Sequence, residues 1–210
     1  MKSTAAKRLY NYWNEIRGSR IAPRRFEIEP TSIAEILPET FILEYDEPKS
    51  VNFRLSGTLV CDMFAREFRG QSIYSIWQKE DRDIIEEGIV SIVNNGAVFL
   101  IEVDAITETG HEAKLEMIMM PLLHNGEKIT RLIGTFAANS YDPNLLARLD
   151  PIQSLHLTQS TIVWPDGHPH KLLPKEVLAS ALPPKIVTSQ NRRFRVFEGG
   201  LNRHPNREHH

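Results

Sequence analysis

The sequence predicts an α+β fold, and three observations carry that expectation. Val51, Phe53 and Leu55 alternate with Asn52 and Arg54, the period of a sheet with one buried face. Three further strand-like runs crowd residues 97–139 around an Asn125-Gly126 dipeptide, which accepts the positive φ angles of a tight hairpin. Between these groups, residues 79–95 place Ile84, Ile85, Ile89, Ile92 and Val93 on one face of a helix. Strands in runs, with helices gathered between them, make an α+β plan rather than an alternating one.

The elements follow in order. Residues 4–17 set Ala5, Leu9, Tyr12, Trp13 and Ile16 in a helical stripe that ends by about Gly18. Thr31 or Ser32 caps a short helix through Ile36 and Leu37, which Pro38 ends. Strands are expected at residues 40–45 and 50–56, joined by the polar turn Asp46-Glu47-Pro48-Lys49. Gly57 lets the chain bend, Leu59 to Arg66 forms a short helix, and Gly70 supplies a second permissive position. Helical segments at 72–77 and 79–95 stop at Asn94-Asn95-Gly96, and strands follow at 97–107, 112–123 and 128–139. Beyond Pro143 the pattern weakens to a helix candidate at Asn144–Leu149, an apolar patch at 161–164 and a basic tail from Lys171 to Arg207 that includes RRFR at 192–195. The organisation expected is a flanking helix and linker at 1–30, a core at 31–140 and an extension at 141–210.

Composition excludes more than it identifies. The 210 residues carry 25 Lys and Arg against 27 Asp and Glu, a net charge of −2 that names no partner for the whole molecule. One cysteine, Cys61, rules out an internal disulfide and gives no reason to place the chain outside a reducing cytoplasm. The opening MKSTAAKRLYNYWNEIRG lacks the apolar run of a signal peptide, and no segment approaches the ~18 apolar residues of a membrane span. The terminal Glu208-His209-His210 also reads as a purification-tag remnant, and no function is argued from it.

FRLSGT at 53–58, FAREFRGQSI at 64–73, Trp77 and IGTFAANS at 133–140 together resemble a bacterial family of short, stand-alone PAS-like proteins of unknown function. The resemblance spans roughly residues 8–140, and it departs at Ala65, where many relatives carry glycine before Arg66-Glu67. It implies a five-stranded antiparallel sheet in the order 2-1-5-4-3, short helices across one face, and a homodimer through the N-terminal helix at Leu9, Tyr12, Trp13 and Ile16. A cavity between sheet and helices would be lined by Leu43, Tyr45, Phe53, Leu55, Phe64, Phe68, Ile73, Trp77, Ile89, Phe99, Met117, Met119 and Phe136. Arg54, Thr58 and Arg66 are its candidate polar contacts. The same residues also describe a filled core.

No cofactor or metal is predicted. Cys61 lies in LVCD rather than in the Asn-Cys-Arg-Phe-like motif of a flavin-adduct photosensor, and it reads as a small apolar filler. For haem, an axial histidine is needed, whereas His111 and His124 fall in hairpin turns and His156, His168 and His170 lie beyond the core. His168-Pro169-His170 matches no zinc spacing. Glu80-Asp81 and Glu86-Glu87 point about 100° apart on their helix and do not converge. GxSxG, P-loop and GxGxxG motifs are missing. The expected function is a non-enzymatic sensory or protein-interaction module of cytoplasmic bacterial signalling, with a second signalling protein as partner and a small ligand as the alternative to a filled core. Two readings compete with it: an α+β enzyme acting on an apolar substrate, which needs Asp104, Glu116 or another carboxylate turned into the cavity, and a nucleic-acid-associated regulator that uses the basic tail.

Overall fold

The computed structural model describes residues 1–46, 50–124, 126, 128–139 and 150–170, together with the backbone of 186–187 and 196–197. The helix candidate at 144–149, RRFR at 192–195 and the terminal histidines lie outside the described residues. Contacts divide the chain into one unit at Met1–Lys171 and another at Leu172–His210. Within the second, β7 (Ile186–Val187) pairs antiparallel with β8 (Val196–Phe197).

The first unit is built on one antiparallel sheet of β1 (Thr40–Asp46), β2 (Ser50–Ser56), β3 (Val98–Thr107), β4 (Glu112–Leu123), β5 (Ile129–Ala138) and β6 (Ile152–Val163). Its order is β2-β1-β5-β4-β3-β6. The five-stranded order 2-1-5-4-3 is present and is extended by one strand. From sequence, residues 161–164, which begin inside β6 and run one residue past it, read only as an apolar patch. The strand is defined by its neighbour: β3 pairs with it from Val98↔Val163 to Thr107↔Ile152 and buries Leu155 completely.

Both sheet faces are covered. On one, the helices α2 (Thr58–Met63) and α3 (Arg82–Asn95) and a 3-10 turn at Ile73–Ile76 lie over Phe99, Met117, Met119 and Phe136. On the other, α1 (Thr4–Arg17) and a 3-10 segment at Pro30–Glu39 cover Ile118, Met120, Leu122 and Ile133. Double coverage explains why β4 and β5 are buried almost continuously instead of alternating.

Of the α1 stripe, Leu9 and Trp13 are completely buried against the chain's own sheet, and Tyr12 and Ile16 are half-buried. Three other expectations are corrected here. Leu55 is 46% exposed. A bulge sets Leu43 opposite Phe53 and Ile42 opposite Leu55, so alternation breaks at Arg54 and Leu55 turns out of the core. Pro38 sits inside the Pro30–Glu39 segment rather than ending a helix, and Ile84 on α3 is exposed. At Gly57 the backbone needs more than a bend. A Cβ there would meet the carbonyl oxygens of Leu37 and Pro38 at 2.3 Å.

Candidate functional site

The site grows out of the end of α2. The helix closes in a Schellman arrangement: the Arg66 N–H donates to the Cys61 carbonyl and the Ala65 N–H to the Asp62 carbonyl, both at 3.1 Å. That arrangement requires a left-handed residue, and Ala65 fills the position with φ 50°. Glycine would do so without strain, which is the physical meaning of the departure at this position. The reversal carries Arg66 back over two rings, its guanidinium 4.6 Å from the Phe68 centroid and 5.8 Å from that of Phe64.

Those rings belong to a continuous aromatic chain. Phe41 meets Phe53 edge-on at 5.8 Å, Phe53 meets Phe68 at 4.8 Å, Phe68 meets Phe64 at 5.2 Å, and Phe64 stacks on Phe136 at 5.9 Å. Each such pair contributes about 0.5–1.5 kcal/mol beyond its buried area. The rings pack together between α2 and strands β1, β2 and β5.

Two polar donors are set into this apolar cover. The Arg66 Nε and the Trp77 Nε1 are buried and, among the described residues, find no hydrogen-bond partner; the Ser56 hydroxyl is in the same condition. Arg66 makes one side-chain bond, from Nη2 to the Ser75 hydroxyl at 3.3 Å. Burial pushes its pKa down, although an arginine remains cationic at neutral pH. Tyr74 lies beside them on the Ile73–Ile76 turn. Burial, followed by Glu86 and Tyr45, pushes its phenol up to about 12, so it stays a neutral donor. Buried donors without acceptors are rare enough in folded proteins to mark a place where something else can bind.

Leu43, Phe53, Phe68, Ile73, Trp77, Ile89, Phe99, Met117, Met119 and Phe136 are brought together in this core, and Tyr45 and Phe64 pack half-buried against it. Leu55, Arg54 and Thr58 do not join them: all three are exposed, and Arg54 faces Glu44 at 3.7 Å. Tyr74 and Ser56 were not legible as members, though the Ile73, Ile76 and Trp77 spacing marks the turn that carries Tyr74. Cys61 is buried, and burial first of all raises its thiol pKa, which keeps it protonated at neutral pH. Neither acid invoked for an enzyme enters the site. Asp104 pairs with Lys114 at 2.9 Å, and Glu116 is wholly buried on the opposite face, where it accepts the backbone N–H groups of Lys2 and Ser3.

Among solved structures, the PAS domain of a protein from Colwellia psychrerythraea is 14% identical with a TM-score of 0.39, over 51% of this chain and 94% of that one. An RNA-binding light-oxygen-voltage receptor is 12% identical with a TM-score of 0.41, over 59% of this chain and 36% of the receptor, so only about a third of that protein's length is matched. No curated protein matches the sequence. A family model described as PAS domain matches residues 1–137, well over half of the chain, and the chain therefore belongs to the PAS domain family.

Proposed function

We propose that this protein is a non-enzymatic sensory module of cytoplasmic signalling, responding to a small molecule that carries an acceptor oxygen and lodges under the α2 cover. One observation carries the reading: Arg66, stacked on Phe64 and Phe68, presents an unpartnered buried Nε in the same cover as the unpartnered Trp77 indole. A ligand that accepts from these donors would relieve a desolvation cost of about 1–3 kcal/mol for each. The non-enzymatic part is supported by the placement of Asp104 and Glu116 away from the cover. No described helix is long and apolar enough to cross a membrane.

The output of such a module is association, since a ligand acts only through its different affinity for two arrangements. The Arg17–Asp166 ion pair is a suitable relay, because it fastens the end of α1 to the segment that follows β6. Native mass spectrometry of freshly purified full-length chain, with Trp fluorescence on the same sample, tests the reading. A retained mass that is lost in Arg66→Met would support it. Neither a retained mass nor a fluorescence difference between wild type and Arg66→Met would instead assign the rings to a filled core and the protein to a purely protein-binding role.

A further inference from the structure

The segment after α1 is fastened to the end of β4. The Leu123 N–H donates to the Pro23 carbonyl at 3.0 Å, and Arg24 bridges Leu123 in parallel register. A 3-10 turn at Arg25–Glu27 follows, held by the Glu27 carboxylate, which accepts the Arg24 N–H at 2.7 Å and pairs with Arg20 at 2.9 Å. This tethered turn presents Phe26 at 75% exposure, against 46% for Leu55 and 39% for Ile84, the other large apolar side chains in the open among the described residues. Between the turn and the β4–β5 hairpin lies an open cleft of about 530 Å³, lined by Arg24, Arg25, Phe26, Leu123, His124 and Gly126.

The lining is unusual in its chemistry. Among the described residues it contains two arginines and a histidine, no acid, and an aromatic ring with the Arg24 guanidinium 5.9 Å from its centroid. Among the described residues Arg25 has no ion-pair partner, whereas Arg17 and Arg20 are each paired. An exposed ring costs solubility and offers a stacking face. Guanidinium forks match the oxygens of a phosphate, and the volume falls within the range of small-ligand sites.

We propose that this cleft binds a flat ring bearing a phosphate, the chemistry shared by a free nucleotide and the terminal nucleotide of a single strand. Phe26 stacks on the ring, Arg24 and Arg25 hold the phosphate, and Leu123 forms an apolar wall. The site is separate from the α2 cover, so either can fail without the other.

The full-length chain is titrated with AMP, with inorganic phosphate and with a 5′-phosphorylated oligodeoxyadenylate, followed by calorimetry and by backbone amide shifts. AMP is expected to saturate with a Kd at or below about 1 mM, moving the amides of residues 24–27, 123, 124 and 126. Phe26→Ala and Arg25→Ala, both surface changes, are each expected to weaken AMP by about tenfold, while Leu55→Ala leaves it unchanged. An oligonucleotide that binds tighter than AMP identifies a strand as the source, and equal affinity identifies the nucleotide itself. Failure of AMP to saturate, phosphate binding as tightly as AMP, or undiminished binding in both cleft variants would overturn the proposal.

Discussion

The Trp13 indole on α1 donates to the Pro121 carbonyl of β4 at 2.8 Å, with the whole side chain shut away from solvent. The pairing of β3 with β4 ends at Phe99↔Met119, so no β3 residue is paired with Pro121, the kind of position where a strand tolerates proline. The same geometry frees the Pro121 carbonyl for the indole. Helix and sheet are thus joined by a hydrogen bond as well as by packing.

Trp13→Ala is therefore expected to cost about 3–5 kcal/mol, the range for truncating a large buried ring. Trp13→Phe keeps most of the volume and loses the hydrogen bond, at about 1–2 kcal/mol. Urea unfolding midpoints separate the two. Equal losses would mean that the bond contributes little beyond packing.

Glu116 serves the other end of α1. Its carboxylate accepts from Lys2 at 2.7 Å and Ser3 at 3.1 Å, and Ser3 in turn caps the helix by accepting from Ala6. Glu116→Ala strands these amides and is expected to cost about 1–3 kcal/mol, with Glu116→Gln costing less because one acceptor oxygen remains. Hydrogen exchange at the amides of residues 4–9 should accelerate in the alanine variant before any change appears in β4. Exchange that rises equally throughout would indicate global destabilisation instead.

Asp166 makes stability depend on acid. Arg17 first and His170 second hold its carboxyl at about 2, against an ordinary value of 3.8. A carboxylate whose pKa is lower folded than unfolded stabilises fully above the unfolded value, and the contribution is lost as pH falls through the folded one. The pair should accordingly be intact above about pH 4 and lost as pH approaches about 2. Asp166→Asn is expected to lower the urea midpoint at pH 7 and to flatten its decline across that interval. An unchanged acid profile would place the acid sensitivity elsewhere.

Ala65 holds φ 50° as the residue after the α2 cap. A side chain in the left-handed region costs roughly 1 kcal/mol, and glycine recovers part of that at the expense of a freer unfolded chain. Ala65→Gly is expected to stabilise by up to about 1 kcal/mol while leaving Arg66 over its rings. Ala65→Val, branched at Cβ, should destabilise more than any other small apolar substitution there. Thermal melts of the three proteins check the order.

How much of this was legible depends on how local each signal is. Helices α1 and α3 and strands β1 to β5 follow from spacings of side chains a few residues apart, and Gly96 ends α3 with φ 69° where the Asn-Asn-Gly run places the stop. The aromatic members of the α2 cover were legible for the same reason, since alternation in β2 puts Phe53 inward. Leu55 was not, because the bulge that turns it outward is set by its pairing with β1. Nor was Arg66 as a ring-stacked cation, whose position follows from the reversal after Ala65.

By itself, then, the sequence determined the order of the elements from α1 to β5 and the apolar face of most of them, because those depend on periods of two and of about 3.6 residues along the chain. Only the tertiary structure decided what each face meets. The α1 stripe is equally suited to a second copy and to this chain's own sheet, and the choice went to the sheet because Trp13, Pro121 and Glu116 offer specific partners more than a hundred residues away. Strand β6 belongs to the same class. Its mixed pattern becomes a strand through the free edge of β3, a property of the folded sheet that no local spacing encodes.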